Sequence, residues 1–228
     1  ITPRLSTTYE TLTTTSTASQ NYKKQEGSYF DNYLKYTLDY DKRNKRFKPD
    51  DGFLNSFSQN VPLYSKNNEI RNSFESTKYQ KFSNIVTRFS FYGAAINSLT
   101  GDDVRVSKRL HIPARKLRGF EGGKVGPKEN KDYIGGNYVS TLNFSATLPK
   151  LLPSFQNTDI SYFLDAANSW GIDYDSTLDD KSTIRSATGI AVDIFTPIGP
   201  LNLSYSFPIT KASSDVTESV RFNLGTTF

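Results

Sequence analysis

The 228-residue sequence contains no cysteine, no methionine and a single histidine, His111. Without cysteine there are no disulfides, no zinc–thiolate sites and no thiol nucleophiles. One histidine cannot assemble a serine–histidine relay or a histidine-based metal centre. No enzymatic activity, no metal and no cofactor are therefore expected. His111, close to Pro113 in a loop, reads as solvent-exposed. No apolar run reaches the roughly 18 residues that a membrane-crossing helix needs, and no amphipathic helical period interrupts the chain. A sequence that opens Ile1-Thr2-Pro3-Arg4 and lacks methionine reads as a piece of a longer chain, so no signal peptide is expected in it.

What the sequence does have is aromatic residues, 14% and nearly all Tyr and Phe, set in an alternating pattern. In residues 219–228, Val220, Phe222, Leu224, Thr226 and Phe228 share one face, opposite Arg221, Asn223, Gly225 and Thr227. An alternating segment of about ten residues is what one strand of a membrane barrel needs, with lipid on one side and a wet lumen on the other. A soluble sheet can alternate too, but termini fray, so a soluble protein seldom ends on an aromatic strand tip. Comparable segments at 4–12, 33–41, 53–63, 70–82, 84–92, 138–148, 159–170, 184–196 and 201–209 bring the expected total to ten strands. Short turns such as 48–52 and 197–200 alternate with longer polar loops, which is the asymmetry of outer-membrane barrels. The longest loop, at about 98–134, is charged and glycine-rich. A structureless loop of that size is functional or disordered. The expected fold is all-β: a transmembrane antiparallel β-barrel in a single domain, 1–228, with no composition shift marking a second.

The formal charge is +5, from 28 basic and 23 acidic residues. The basic residues are scattered, and their two clusters, at 41–46 and 108–118, adjoin loop signals. Both clusters read as solvated loops rather than a nucleic-acid surface. Asp102-Asp103 and Asp179-Asp180 read as solvated carboxylates or, more weakly, as cation sites bridging lipopolysaccharide.

Five motifs occur in a fixed order. Tyr40-Asp41-Lys42-Arg43 leads to Pro49-Asp50-Asp51-Gly52, and Leu117-Arg118-Gly119-Phe120-Glu121 follows. Gly126-Pro127 precedes Ile134-Gly135-Gly136-Asn137, and Phe163-Leu164-Asp165 comes next. The last is Pro197-Ile198-Gly199-Pro200-Leu201 with the closing Phe222-Asn223-Leu224-Gly225-Thr226-Thr227-Phe228. Together they resemble the bacterial surface antigen family of outer-membrane assembly and secretion barrels. Ile112-Pro113-Ala114-Arg115-Lys116 and Ala167 depart from that pattern at places where the family usually carries glycine.

The resemblance implies a sixteen-stranded barrel behind periplasmic repeat domains, of which this chain holds the last ten strands, in the outer membrane of a Gram-negative bacterium. It implies a factor that folds and inserts β-barrel proteins through a lateral seam. Its partners would be unfolded outer-membrane proteins, outer-membrane lipid and lipopolysaccharide, and accessory lipoproteins. It also implies that the long loop folds into the lumen, with Arg118 of Leu117-Arg118-Gly119-Phe120 paired to an inward-facing acid, for which Asp165 is the candidate. A guanidinium inside a barrel needs acceptors, and one carboxylate takes a bidentate pair. Phe222, Leu224, Gly225 and Phe228 would form the terminal-strand signal and the seam. Gly225 suits either a weak seam or a crowded lumen. Two alternatives stand beside this: a secretion or autotransporter-assembly relative sharing the arginine–glycine–aromatic loop, and a passive pore lined for selectivity.

Overall fold

The computed structural model describes residues 1–148, 157–178, 183–196 and 199–224. Five strands come first: β1 (Thr2–Leu12), β2 (Gly27–Asp41), β3 (Gly52–Tyr64), β4 (Glu69–Phe82) and β5 (Ile85–Ser98). A two-stranded hairpin, β6 (Lys128–Glu129) and β7 (Asp132–Tyr133), lies in the long loop. Then follow β8 (Tyr138–Thr147), β9 (Thr158–Trp170), β10 (Arg185–Thr196), β11 (Gly199–Thr210) and β12 (Val220–Leu224). The ten long strands make one antiparallel meander in chain order, with the hairpin outside it. Among the described residues β1 and β12 are its two edges and do not pair with each other.

Side chains alternate between two environments along each strand, as pleating requires. On β9, Phe163, Asp165, Ala167 and Ser169 are buried while Tyr162 and Leu164 are exposed. On β10 and β11, Ala187, Ala191, Ser204 and Ser206 are buried, and Ile190, Ile194, Leu203, Tyr205 and Phe207 stand out on the other face. Large apolar groups outside and small or polar ones inside is the reverse of a soluble sheet, and it is the pattern of a sheet that meets lipid. No helix among the described residues is long and apolar enough to cross a membrane.

Two strands run further than their sequence suggests. β2 starts at Gly27 rather than near residue 33. Asp31-Asn32 has turn chemistry, yet the strand continues because the buried Asp31 carboxylate is paired with Arg105. β5 runs on through Gly93-Ala94-Ala95 to Ser98. These residues have little strand propensity of their own, but Ala94 and Ile96 are buried under the long loop. A five-residue helix, α1 (Gln20–Lys24), sits between β1 and β2, capped by Ser19, whose hydroxyl accepts from Tyr22 N–H at 3.3 Å. Pro208 lies where the β10–β11 register slips, as befits a residue with no N–H for the ladder.

The sheet curls. At its short-turn end Lys48, between β2 and β3, forms an ion pair with Asp159 of β9 at 2.6 Å. Phe47 meets Phe195 of β10 edge-on, with ring centroids 5.3 Å apart. Strands that lie far apart in the sheet order therefore face each other across an interior. The apolar core is in that interior, between the long loop (99–137) and the inner faces of β5, β8, β9 and β10.

Candidate functional site: the loop inside the sheet

The segment expected to be structureless is compact. It contains two short 3-10 turns, Val106–Lys108 and Ala114–Lys116, and the β6–β7 hairpin. Its two limbs meet at Leu110 and Gly136, which exchange backbone hydrogen bonds of 2.8 and 2.9 Å. Val104, Leu110, Ile112, Leu117, Phe120 and Val125 turn inward and join Ala94, Ile96, Val139, Ala167 and Ala187 of the wall. Ala167, where the family usually has glycine, thus packs against the loop.

Polar groups inside an apolar enclosure need partners, and arginines supply them at successive points along the loop. Arg118 makes a forked pair with Asp165 of β9, Nε to Oδ2 at 2.7 Å and Nη2 to Oδ1 at 2.8 Å. Arg118 N–H donates to Oδ2 as well, at 3.1 Å. Asn143 of β8 donates to Asp165 Oδ1 and to the Lys116 carbonyl, both at 2.8 Å. Under the fork lies Phe163, with the guanidinium carbon 3.5 Å from its ring centroid. A bidentate, stacked guanidinium is a geometry that lysine cannot copy. Gly119 follows at φ +88°, and a Cβ there would stand 3.0 Å from the Ala187 Cβ. Phe120 is almost wholly buried and bridges to Thr217.

Two further arginines anchor the loop's first limb. Arg105, fully buried, pairs with Asp31 of β2, and its guanidinium lies 4.2 Å from the Tyr29 ring centroid. Arg105 N–H donates to Glu69 of β4 at 2.7 Å. Arg109 pairs with Asp173 beyond β9 and donates to Asn137 Oδ1 at 2.9 Å. Burial raises the Asp173 carboxyl, but the Val104 N–H and Arg109 outweigh it and hold the group below the ordinary carboxylate value. From the wall, Arg185 of β10 forms a buried pair with Asp215 at 2.9 Å, and Asp215 accepts from the loop's Gly126 N–H at 3.3 Å.

The reading of residues 108–118 as solvated charge is therefore corrected, because Arg109 is buried and Arg118 is mostly so. Cluster 41–46 does lie at the surface, with Asp41 and Arg43 paired at 2.8 Å. His111 and Asp102-Asp103 are exposed. Phe222 and Leu224 point away from the interior and are exposed. Gly225, Phe228 and Asp179-Asp180 lie outside the described residues. Sequence reasoning did not single out Arg105, Arg109, Asn143 or Arg221. A usable signal was there: acids at inward strand positions, such as Asp31 and Glu69, demand cations from elsewhere in the chain.

Residues 2–228 match the model of the Omp85 superfamily domain. Over 141 residues the chain is 32% identical to the outer membrane protein assembly factor BamA of Neisseria meningitidis serogroup B, covering 49% of this chain and 17% of that protein. It is 24% identical over 228 residues to BamA of Nitratidesulfovibrio vulgaris, covering 94% of this chain and 27% of that one. A SAM50-like protein of Schizosaccharomyces pombe is 24% identical over 143 residues, covering 59% of this chain and 30% of the relative. The chain thus spans less than a third of the length of each of these relatives. Among solved structures, BamA of Haemophilus ducreyi lacking POTRA domains 1–3 superposes with a TM-score of 0.80 at 25% identity, over 87% of this chain and 42% of that one. With almost its whole length matched by the family model, the chain belongs to the Omp85 superfamily.

Proposed function

We propose that this chain is the C-terminal part of an outer-membrane assembly barrel and that the whole protein folds and inserts other β-barrels into the outer membrane. The observation that carries the reading is the pinned loop, a buried Arg118–Asp165 fork on the inner face of a ten-stranded antiparallel sheet. Likeness to assembly factors from two bacteria supports it. On this reading 1–228 is one barrel domain, with the short turns in the periplasm and the long loops outside the cell. A free strand edge presents unpaired N–H and C=O groups and can template an incoming strand. The client's backbone then need not enter hydrocarbon unpaired. No bond is made or broken. Unfolded outer-membrane proteins, lipid and lipopolysaccharide, and accessory lipoproteins are its partners.

The test is to replace the resident protein in its own host by the Arg118→Ala form and to follow folded client barrels in the outer membrane. Loss of folded clients, at normal levels of the variant, is the expected result. Normal client assembly with the loop demonstrably released would overturn the reading.

A further inference from the structure

Arg221 is the inward-facing side chain of the five-residue strand β12, and it is largely buried. Its guanidinium donates to two carbonyls of the long loop, Nη1 to Ala114 O and Nη2 to Phe120 O. Glu218 holds it from behind, accepting from Nε at 3.0 Å and from Nη2 at 2.7 Å. The two carbonyls bracket the motif: Ala114 opens the 3-10 turn ahead of Leu117-Arg118-Gly119-Phe120, and Phe120 closes it.

The same stretch of loop also makes a short ladder with the residues that lead into β12. Glu121 N–H donates to Val216 O at 2.9 Å, Val216 N–H to Lys124 O at 3.1 Å, and Glu218 N–H to Gly119 O at 3.1 Å. By contrast, β12 has one strand partner among the described residues, β11, through the five pairs from Leu201↔Leu224 to Tyr205↔Val220. The terminal strand is therefore gripped from inside by the loop.

The geometry points to Arg221 as a positioning residue of the insertion apparatus. It couples the loop motif to the terminal strand, so that the loop holds β12 in place. This inference rests on the proposed assembly function for its consequence but not for its mechanics. Both carbonyls lie on a segment that Arg118 anchors to β9, so the grip transmits to β12 the rigidity of the Arg118–Asp165 fork. A lysine in place of Arg221 keeps the charge, but its single point-like ammonium cannot reproduce a planar fork spanning two carbonyls and a carboxylate.

The experiment measures amide hydrogen exchange, segment by segment, in the whole protein in outer membranes, for wild type, Arg221→Ala and Arg221→Lys. Heat-modifiable gel mobility serves to establish that each barrel is folded. Alanine is expected to speed exchange about tenfold or more in residues 216–224 and 119–124 while leaving β9 at the wild-type rate, a local opening rather than global unfolding. Lysine should fall between. Unchanged exchange in 216–224, or a uniform rise across all strands, would overturn the brace. Client assembly is followed in the same strains. Local opening with slowed assembly supports both the brace and its role. If local opening leaves assembly at the wild-type rate, the brace stands but its part in insertion, and with it the proposed use of the β12 edge, is overturned.

Discussion

The two halves of the sheet share the same alternating sequence but not the same interior. Along β9 and β10 the inward residues are almost completely buried, and the pattern is sharp. Along β3 it is blurred, and along β1 it alternates only between exposed and intermediate, with no residue buried on either strand. The difference is the loop. It lies against β5 and β8–β12, turning their inner face into a core of small side chains and arginine–carboxylate pairs. It also reaches β2 at Tyr29 and Asp31, while no residue of β3 is so deeply buried. Alternation in a barrel strand thus reports pleat and lipid. Depth of burial reports what the lumen holds.

The sharpest way to break this contrast is Arg118→Ala. It leaves the Asp165 carboxylate, fully buried, with only Asn143 and a backbone N–H as donors. Stranding one member of a buried pair costs about 3–5 kcal/mol. Limited proteolysis should then cut within 99–137, and client assembly should fall. Lys116→Ala removes an ion pair with the partly exposed Glu75 (2.6 Å), a loss of at most about 1 kcal/mol. Equal and mild effects from the two substitutions would defeat the pinned-loop account.

Next in size is Gly189→Ala on the covered wall. A Cβ there would stand 2.1 Å from the Tyr205 carbonyl oxygen and 2.8 Å from the Phe163 ring. Such overpacking costs about 1–3 kcal/mol and should lower the temperature at which the heat-modifiable band converts. Gly119→Ala combines a positive φ with the tight approach to Ala187 and should cost about 1–2 kcal/mol, seen as faster proteolysis of the loop. On the open wall, Ser58→Ala loses a 2.8 Å hydroxyl contact with Thr37 and should cost no more than about 1 kcal/mol. A loss there as large as at Gly189 would erase the distinction between the walls.

The smallest effect is a titration outside the spanning strands. Burial, with Asp132 and Glu129 nearby, pushes the Tyr22 phenol up from 10.0 to about 12. A raised value favours the neutral phenol in the folded protein. Its contribution is therefore complete below the ordinary tyrosine value and is lost as pH rises through about 12. Ultraviolet titration should show this tyrosine ionising well after the exposed ones. A single tyrosine transition near 10 would contradict the packing of α1 at that place.

Ten strands and their order were legible in the sequence because pleating writes lipid and lumen into alternate residues. The extensions of β2 and β5 were not, since Asp31 and Gly93-Ala94-Ala95 lack strand propensity and depend on a loop that lies far away in sequence. The loop motif was legible as residue types at a spacing. Its pairing with Asp165 could be named because the family resemblance implies an inward-facing partner and alternation with Phe163 turns Asp165 inward. The anchors at Arg105, Arg109 and Arg221 stayed hidden. An arginine looks the same in sequence whether water, a carbonyl or a carboxylate solvates it.

The neck at Leu110 and Gly136 and the loop's distant anchors also bear on the order in which the molecule can form. Every pair in the large sheet joins neighbours in the chain, except that β5 meets β8 across the loop. Such hairpins form quickly, because little chain must be searched. The anchors are remote in sequence: Arg105 and Asp31 are 74 residues apart, and Arg221 and Phe120 are 101 apart. Contacts that close long stretches of chain come late. The hairpins of the wall therefore form ahead of the anchors, and the loop docks last, as a keystone that locks strands already paired.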